Sequence, residues 1–287
     1  MVGLVVVSHS PALAQAALDL ALEMVHGEPP PVAIAAGGPE ATFGTDALAV
    51  KAAIEQVDDG AGVVVLMDLG SAVLSSEMAL ELLDPELRNR VHLTSAPLVE
   101  GLVAAVVAAA VGEPPAAVVR EATAGLHGKQ AQLGIAAAGP AEPVPGDAER
   151  AVLTVTLPHG LHARPAARLV AEVKRFDVAV QIRNATTDTG YAPAASLSRV
   201  AAIGARQGHD IELVASGRQS SAAVDAILAL AARGFDERVP AEPPVSPVRA
   251  DAPLPASPGI GIGPKWTIGG GELEVPEAVA SRGPGQE

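Results

Sequence analysis

The sequence predicts two modules, an α/β domain with a doubly wound parallel sheet followed by a smaller α+β open-faced sandwich. Three observations carry this reading. Continuous apolar runs, Leu4-Val5-Val6-Val7 and Gly62-Val63-Val64-Val65-Leu66-Met67, alternate with helical stretches as far as Gly125; such runs mark parallel strands buried on both faces. Ala137 to Glu149 is dense in alanine, proline and glycine, the composition of a linker. Beyond it the pattern changes to alternation, Val152-Leu153-Thr154-Val155-Thr156, which suits a half-buried strand. The length of 287 residues also fits about two domains.

In chain order, the strand Leu4–Val7 leads through Ser8-His9-Ser10-Pro11 into a helix over Ala12–Met24, with Leu13, Leu20 and Met24 as its apolar face. Ser10 is a good N-cap and Pro11 a good first helical residue. Val32–Ala36 is a short strand and Asp46–Val57 a helix. The strand ending at Met67 runs into Asp68-Leu69-Gly70-Ser71 and a helix over Ala72–Leu83. Val91–Thr94 is strand-like, and Leu98–Val111 and Ala116–Gly125 are helical. His9 and Asp68 thus fall at the carboxyl ends of strands, where open α/β sheets bind ligands.

In the second module Leu157-Pro158-His159-Gly160-Leu161-His162-Ala163-Arg164-Pro165 joins a strand to a helix over Ala166–Lys174, where Leu169, Val170 and Val173 share one face. Pro165 is expected at the first helical position. His162 then sits against free amides at a helix N-terminus, which favour an anion, and Arg164 adds a multidentate cation. Strand Val178–Arg183, a Thr/Gly-rich loop Asn184–Ala195, helix Ser196–Gly204, strand Asp210–Ala215 and helix Ser220–Arg233 follow. The expected order is β–α–β–β–α–β–α.

Composition narrows the function. The net charge of −14 argues against nucleic acid as a partner. Residues 151–234 hold nine Lys/Arg against six Asp/Glu, a net of +3, leaving −17 for the remainder. A basic module tethered to an acidic one can dock electrostatically, although solubilising charge on separate domains fits equally well. There is no cysteine, which suits a cytoplasmic location. No basic region precedes the first strand, so a signal peptide is not expected. The longest apolar run, Leu98 to Val111, contains Glu100 and is too short to span a bilayer. His159 and His162 form an HxxH pair without a third ligand of suitable spacing, so no metal is expected. No P-loop or GxGxxG fingerprint occurs, so no bound nucleotide or other cofactor is expected.

The string Gly160-Leu161-His162-Ala163-Arg164-Pro165-Ala166 resembles the active-site motif of HPr, the histidine-phosphorylated carrier of the bacterial phosphotransferase system, with the likeness running from Val152 to Gly234. It implies that His162 carries a phosphoryl group and that Arg164 and the helix amides stabilise it. Ser196 matches the regulatory serine of some HPr proteins, but an N-cap role suffices for it. Val5-Val6-Val7-Ser8-His9-Ser10, Gly44-Thr45-Asp46-Ala47, Leu66-Met67-Asp68-Leu69-Gly70-Ser71 and Ala96-Pro97-Leu98-Val99-Glu100-Gly101 resemble the phosphotransfer subunits of phosphoenolpyruvate-dependent dihydroxyacetone kinases, whose first domain is similar to mannose-type IIA domains. Ala256-Ser257-Pro258-Gly259-Ile260-Gly261-Ile262-Gly263 resembles the opening strand of Enzyme I. The implied organisation is a IIA-like domain over 1–136, a linker over 137–150, an HPr-like domain over 151–235, a proline-rich linker over 236–255 and an Enzyme I-like fragment over 256–287.

By that resemblance His9 is a second phosphorylation site and Asp68 orients its imidazole. Asp68 as a cap of the following helix remains open, and so does coexistence of both roles. Even with Asp68 orienting His9, asparagine keeps the capping ability, so Asp68→Asn is expected to change stability by less than about 1 kcal/mol. Ser71, Thr45 and Ser10 are candidate phosphate contacts, with N-capping at least as apt for Ser71 and Thr45. The resemblance implies Enzyme I as donor acting in trans, with free HPr as a further partner. It also implies ADP- and dihydroxyacetone-binding kinase subunits downstream, and a homodimer formed through the first domain, away from membranes. The alternatives are a sugar-transport IIA–HPr fusion of the mannose class and a non-catalytic sensor of phosphorylation state.

Overall fold

The computed structural model describes residues 1–25, 27–38, 42–133 and 148–237. The Enzyme I-like fragment, residues 238–255 of its proline-rich approach and residues 137–147 of the first linker lie outside the described residues. The first module runs β1 (Gly3–Ser8), α1 (Pro11–Leu22), β2 (Val32–Ala36), α2 (Ala47–Val57), β3 (Val63–Met67), α3 (Gly70–Glu81), α4 (Pro85–Arg88), β4 (Val91–Thr94), α5 (Leu98–Ala110) and α6 (Pro115–Thr123). Its sheet has the order β2-β1-β3-β4, and every pair is parallel. β1 and β3 are buried at every residue because helices cover both faces. α1, α5 and α6 pack on one face, and α2 and α3 on the other. The chain leaves β1 for β2 on one side and reaches β3 on the other, so the winding reverses between β1 and β3. A crevice opens there at the carboxyl ends of the strands.

One turn of 3-10 helix, Ala124–Leu126, leads into α7 (His127–Gln132). The second module comprises β5 (Glu149–Thr154), α8 (Ala163–Val173), β6 (Ala179–Asn184), β7 (Ala192–Pro193), α9 (Leu197–Ala202), β8 (Asp210–Ser216) and α10 (Ser220–Ala232). Its antiparallel sheet has the order β5-β8-β6-β7. The apolar face of α8, with Leu169, Val170 and Val173 buried as their spacing requires, joins Leu153, Ile182, Leu213 and Ile227 in one core.

Several elements depart from the sequence reading. The α8 helix begins at Ala163, with His162 as its N-cap, so Pro165 is the third helical residue rather than the first. It is still tolerated there because the first-turn amides have no intrahelical acceptor. In α1 the buried stripe is Ala14, Ala17, Leu18 and Ala21, while Leu13 and Leu20 are exposed. Small residues at that spacing let α1 approach α5 and the sheet closely, which larger side chains would prevent. The helices α4 and α7 and the strand β7 are too short to show a period. Ser196 is the N-cap of α9, accepting from the Arg199 N–H at 3.3 Å.

Residues Met1–Val239 form one compact unit. The apolar run over α5 explains how the two modules meet. Leu102, Ala105, Val106 and Ala109 face the first module's core, while Ala104 and Val107 belong to the core of the second. A helix apolar all round must be covered on both sides. The second module supplies the outer cover.

Candidate functional site

The crevice between β1 and β3 brings together residues 59 positions apart in sequence. Val7 is paired with Met67 across the two strands, so the next residues, Ser8-His9 and Asp68, emerge side by side. Asp68 collects donors on both carboxylate oxygens. Oδ1 accepts from His9 Nδ1–H at 2.9 Å and the Leu69 N–H at 2.6 Å, and Oδ2 accepts from the His9 N–H at 2.8 Å and the Ser8 hydroxyl at 2.9 Å. Desolvation pushes the Asp68 carboxyl up, but these bonds from His9, Ser8 and Leu69 outweigh it and hold it below the usual carboxylate range. A carboxylate that can only accept fixes the proton of His9 on Nδ1. The lone pair is therefore on Nε2, which faces the Ser71 hydroxyl in the first turn of α3. The His9 side chain retains 24% of its exposure while Asp68 retains 9%, an anchored carboxylate beneath an accessible ring.

The contacts of Asp68 bear on the choice between orienting and capping. The N-cap of α3 is Leu69, with no side-chain cap bond, so Asp68 serves the imidazole and its own turn. Thr45 does not cap α2. That role belongs to Asp46, which accepts from the Leu48 N–H at 2.8 Å. The Thr45 hydroxyl instead bonds the Ser71 carbonyl at 3.3 Å and the Ser75 hydroxyl at 2.8 Å, tying the loop before α2 to the start of α3. Ser10 caps α1, accepting from the Leu13 N–H at 3.3 Å. Ser8 went unremarked in the sequence; its adjacency to His9 at a strand end was the available signal.

His162 ends the loop that leads into α8. Gly160 lies at φ +72°, and a Cβ there would stand 2.2 Å from the Ala205 carbonyl oxygen, so only glycine fits. The Leu161 N–H donates to that same carbonyl at 2.9 Å and pins the loop. As N-cap, His162 offers its carbonyl to the Ala166 N–H at 2.9 Å, while its ring makes no cap bond. The amides of Ala163 and Arg164 precede that first helical bond, leaving an N-terminus with donors to spare. Burial pushes the His162 imidazole below its ordinary pKa; Glu237 opposes this and His159 and Arg164 add to it. Each of these lowering causes favours the neutral ring, the form with a lone pair to offer. His159 packs edge-on with ring centroids 6.3 Å apart, and both rings line a cleft shared with Thr187, Thr189 and Arg206.

Arg164 is engaged elsewhere. Its Nη2 pairs with Glu23 just past the end of α1 at 3.3 Å, and its Nη1 with Glu237 at 3.6 Å. Neither acid had a signature in the sequence, because nothing in a linear pattern shows which acids another module presents. The structure therefore assembles His9, Asp68, Ser71 and Thr45 in one place and His162 in another. Among the described residues no group of three His, Cys, Asp or Glu is placed to hold a metal, and no helix is long and apolar enough to cross a membrane.

Comparison with known proteins finds relatives of both modules. Residues 3–119 match the EIIA-man family model, described as the PTS system fructose IIA component, and residues 150–233 match the PTS HPr component phosphorylation site. A phosphoryl donor subunit DhaM of PEP-dependent dihydroxyacetone kinase from Klebsiella michiganensis is 40% identical over 263 residues, 88% of this chain and 54% of that one. The chain thus spans about half the length of such relatives. A shorter relative, the phosphoryl donor subunit DhaM of PEP-dependent dihydroxyacetone kinase 2 from Listeria innocua, is 35% identical over 43% of this chain and 98% of its own length. The phosphocarrier protein HPr of Haloferax volcanii is 42% identical over 28% of this chain and 86% of its own. With one relative matched almost end to end and both family models in sequence, this chain belongs to the family of phosphoryl donor subunits, DhaM, of PEP-dependent dihydroxyacetone kinases.

Proposed function

We propose that the chain is a phosphohistidine relay. It takes phosphate that originates in phosphoenolpyruvate from Enzyme I on His162, passes it to His9, and delivers it to ADP bound on the kinase's ADP-binding subunit. The ATP so formed phosphorylates dihydroxyacetone held by a further subunit. The observation that carries this reading is the fixed tautomer of His9, with Nδ1–H on Asp68 and the Nε2 lone pair at an accessible edge. In the loading step that lone pair attacks the phosphorus of phospho-His162. The N–P bond on His162 breaks and its electron pair returns to that ring. The new phosphoimidazolium is balanced by the Asp68 carboxylate. In delivery, a terminal phosphate oxygen of ADP attacks phosphorus and the electron pair of the N–P bond returns to Nε2, with no change of oxidation state. Positioning and charge neutralisation supply the catalysis.

Ser71, already against Nε2, and Thr45, which braces it, are the proposed phosphate contacts, with Ser10 at the adjoining helix start. Free HPr is a further donor to His9. We read the location as cytoplasmic, in keeping with a chain that has no cysteine. A homodimer through the first module is supported by the exposed apolar side chains Leu74 and Met78 on α3 and Leu82 just past its end, and light scattering at twice the chain mass tests it. Residues 256–287, whose sequence resembles the opening of Enzyme I, are proposed to take no part in transfer between His162 and His9. The relay itself is tested with labelled phosphoenolpyruvate, Enzyme I and the ADP-loaded kinase subunit. Label is expected in ATP only when this chain is added; label passing instead to a sugar-transport IIB domain would overturn the assignment.

A further inference from the structure

Both ends of α1 are occupied by phosphotransfer residues, but from different modules. His9 precedes its N-terminus, and Arg164 is held by Glu23 just past its C-terminus. Glu23 lies thirteen positions after Ser10, about 20 Å of helix at about 1.5 Å per residue. The α8 helix stays at that far end. Ala167 and Ala171 line a recess with Met1, Met24 and Val25, and Lys174 pairs with Glu113 beyond α5. Met1 precedes β1, so this is the edge of the sheet opposite the crevice that holds His9.

The contact is built as a polar ring around a small apolar centre. Three acids of the first module hold the second: Glu23 on Arg164, Glu113 on Lys174, and Glu121 on the Ser198 hydroxyl at 2.9 Å. This is the electrostatic docking that the opposite charges of the two modules allow. Between them lie Ala104, Val107 and Ala117 against Val170 and Leu197, with Arg120 of the first module alongside. Release of the second module would uncover Ala104, Val107 and Ala117, an apolar face made of small side chains.

We infer that the docked arrangement is an unphosphorylated resting state, in which Glu23 and Glu237 clasp Arg164 at the edge of the sheet away from His9, and that a phosphoryl group on His162 releases the second module. The inference rests on His162 being the phosphorylated residue of that module. Arg164 lies two residues from His162, and a dianionic phosphate there is a stronger acceptor for its guanidinium than either carboxylate. The same charge repels Glu23 and Glu237. Phosphorylation therefore removes one of the two cations that join the modules, leaving Lys174 on Glu113, and adds an anion facing the acids around Arg164. The loaded module is freed to travel to the opposite sheet edge, and the empty one redocks.

The absence of cysteine makes the test direct. Ala16→Cys on α1 and Ser221→Cys on α10, both on exposed positions, take spin labels in the full chain carrying His9→Ala, so that phosphate stays on His162. Enzyme I and phosphoenolpyruvate load the chain, and mass spectrometry of the same sample at basic pH confirms the site. A narrow distance distribution is expected before loading and a longer, broad one after. Glu23→Gln combined with Glu113→Gln is expected to broaden the distribution without any phosphate. Phosphate found on His162 with an unchanged distribution would overturn the clasp and leave the relay standing. No phosphate on His162 would overturn both, and an unmoved distribution in the double variant would remove the ionic basis of docking.

Discussion

Replacing Asp68 with asparagine tests the His9 site at its support. The carboxylate receives two donors on each oxygen, and an asparagine keeps only one acceptor oxygen. If the amide nitrogen takes the position of Oδ1, it meets His9 Nδ1 as a second donor and drives the ring proton to Nε2. The nucleophilic lone pair is then lost, and the Leu69 N–H loses its partner. If it takes the position of Oδ2, the His9 backbone N–H is stranded, although the Ser8 hydroxyl can rotate to accept. Hydrogen bonds to a charged group are worth about 1.5–3 kcal/mol each. One such loss beside a mismatched N–H sets the cost to stability at about 2–4 kcal/mol, more than the near-neutral change a capping residue would show. The same about 1.5–3 kcal/mol, taken from the tautomer bias of the ring, slows transfer by about 10–150-fold at 1.36 kcal/mol per decade. The assay is single-turnover transfer from phosphorylated chain to the ADP-loaded kinase subunit, with nitrogen NMR of the ring to read the tautomer. Transfer at the native rate with a lowered melting temperature would refute the orienting role and leave Asp68 purely structural.

Three further outcomes are expected. Gly160→Ala combines a left-handed backbone with a Cβ 2.2 Å from the Ala205 carbonyl oxygen, so the second module should lose about 1–3 kcal/mol, read as a shifted denaturant midpoint; no shift would mean the loop relaxes freely. His162 should titrate below its ordinary pKa, followed by proton NMR, and Glu237→Gln should lower it further because Glu237 is the group that raises it. The sign for stability follows: the unfolded chain binds the His162 proton first, so this contribution is full above about pH 6.5 and declines as pH falls through that value toward the depressed folded pKa. A midpoint above the ordinary histidine value would contradict the burial of the ring. Truncation after Val239 should leave phosphotransfer rates unchanged, whereas truncation after Gly234 should not, because it removes the core residue Phe235 and the Arg164 partner Glu237. A large loss in the longer form would give the tail a function.

The parallel sheet was legible because β1 and β3 are apolar at every position, and only burial on both faces explains such runs. His162 was legible because the loop around it is nearly all backbone requirement: glycine at positive φ, a proline in the first turn, a cap position between them. Asp68 could be placed beside His9 once each was seen to end a neighbouring strand. Its four donors could not be seen, since two are backbone amides and one is Ser8, whose hydroxyl has no periodic signature. The stripe on α1 misled for a physical reason. Leucine outranks alanine as an apolar residue, yet close helix packing selected the alanines. Long-range partners were the least accessible. Glu23 and Glu237 read as ordinary surface acids until the docked module puts Arg164 between them.

The measurement closest to the central claim is a time-resolved map of phosphohistidine in the full chain with Enzyme I and phosphoenolpyruvate, quenched at basic pH and sequenced by mass spectrometry. Phosphate should appear on His162 before His9. In His162→Ala it should be absent from His9 until free HPr is added, and in His9→Ala it should accumulate on His162. Full labelling of His9 in His162→Ala without free HPr would contradict the relay.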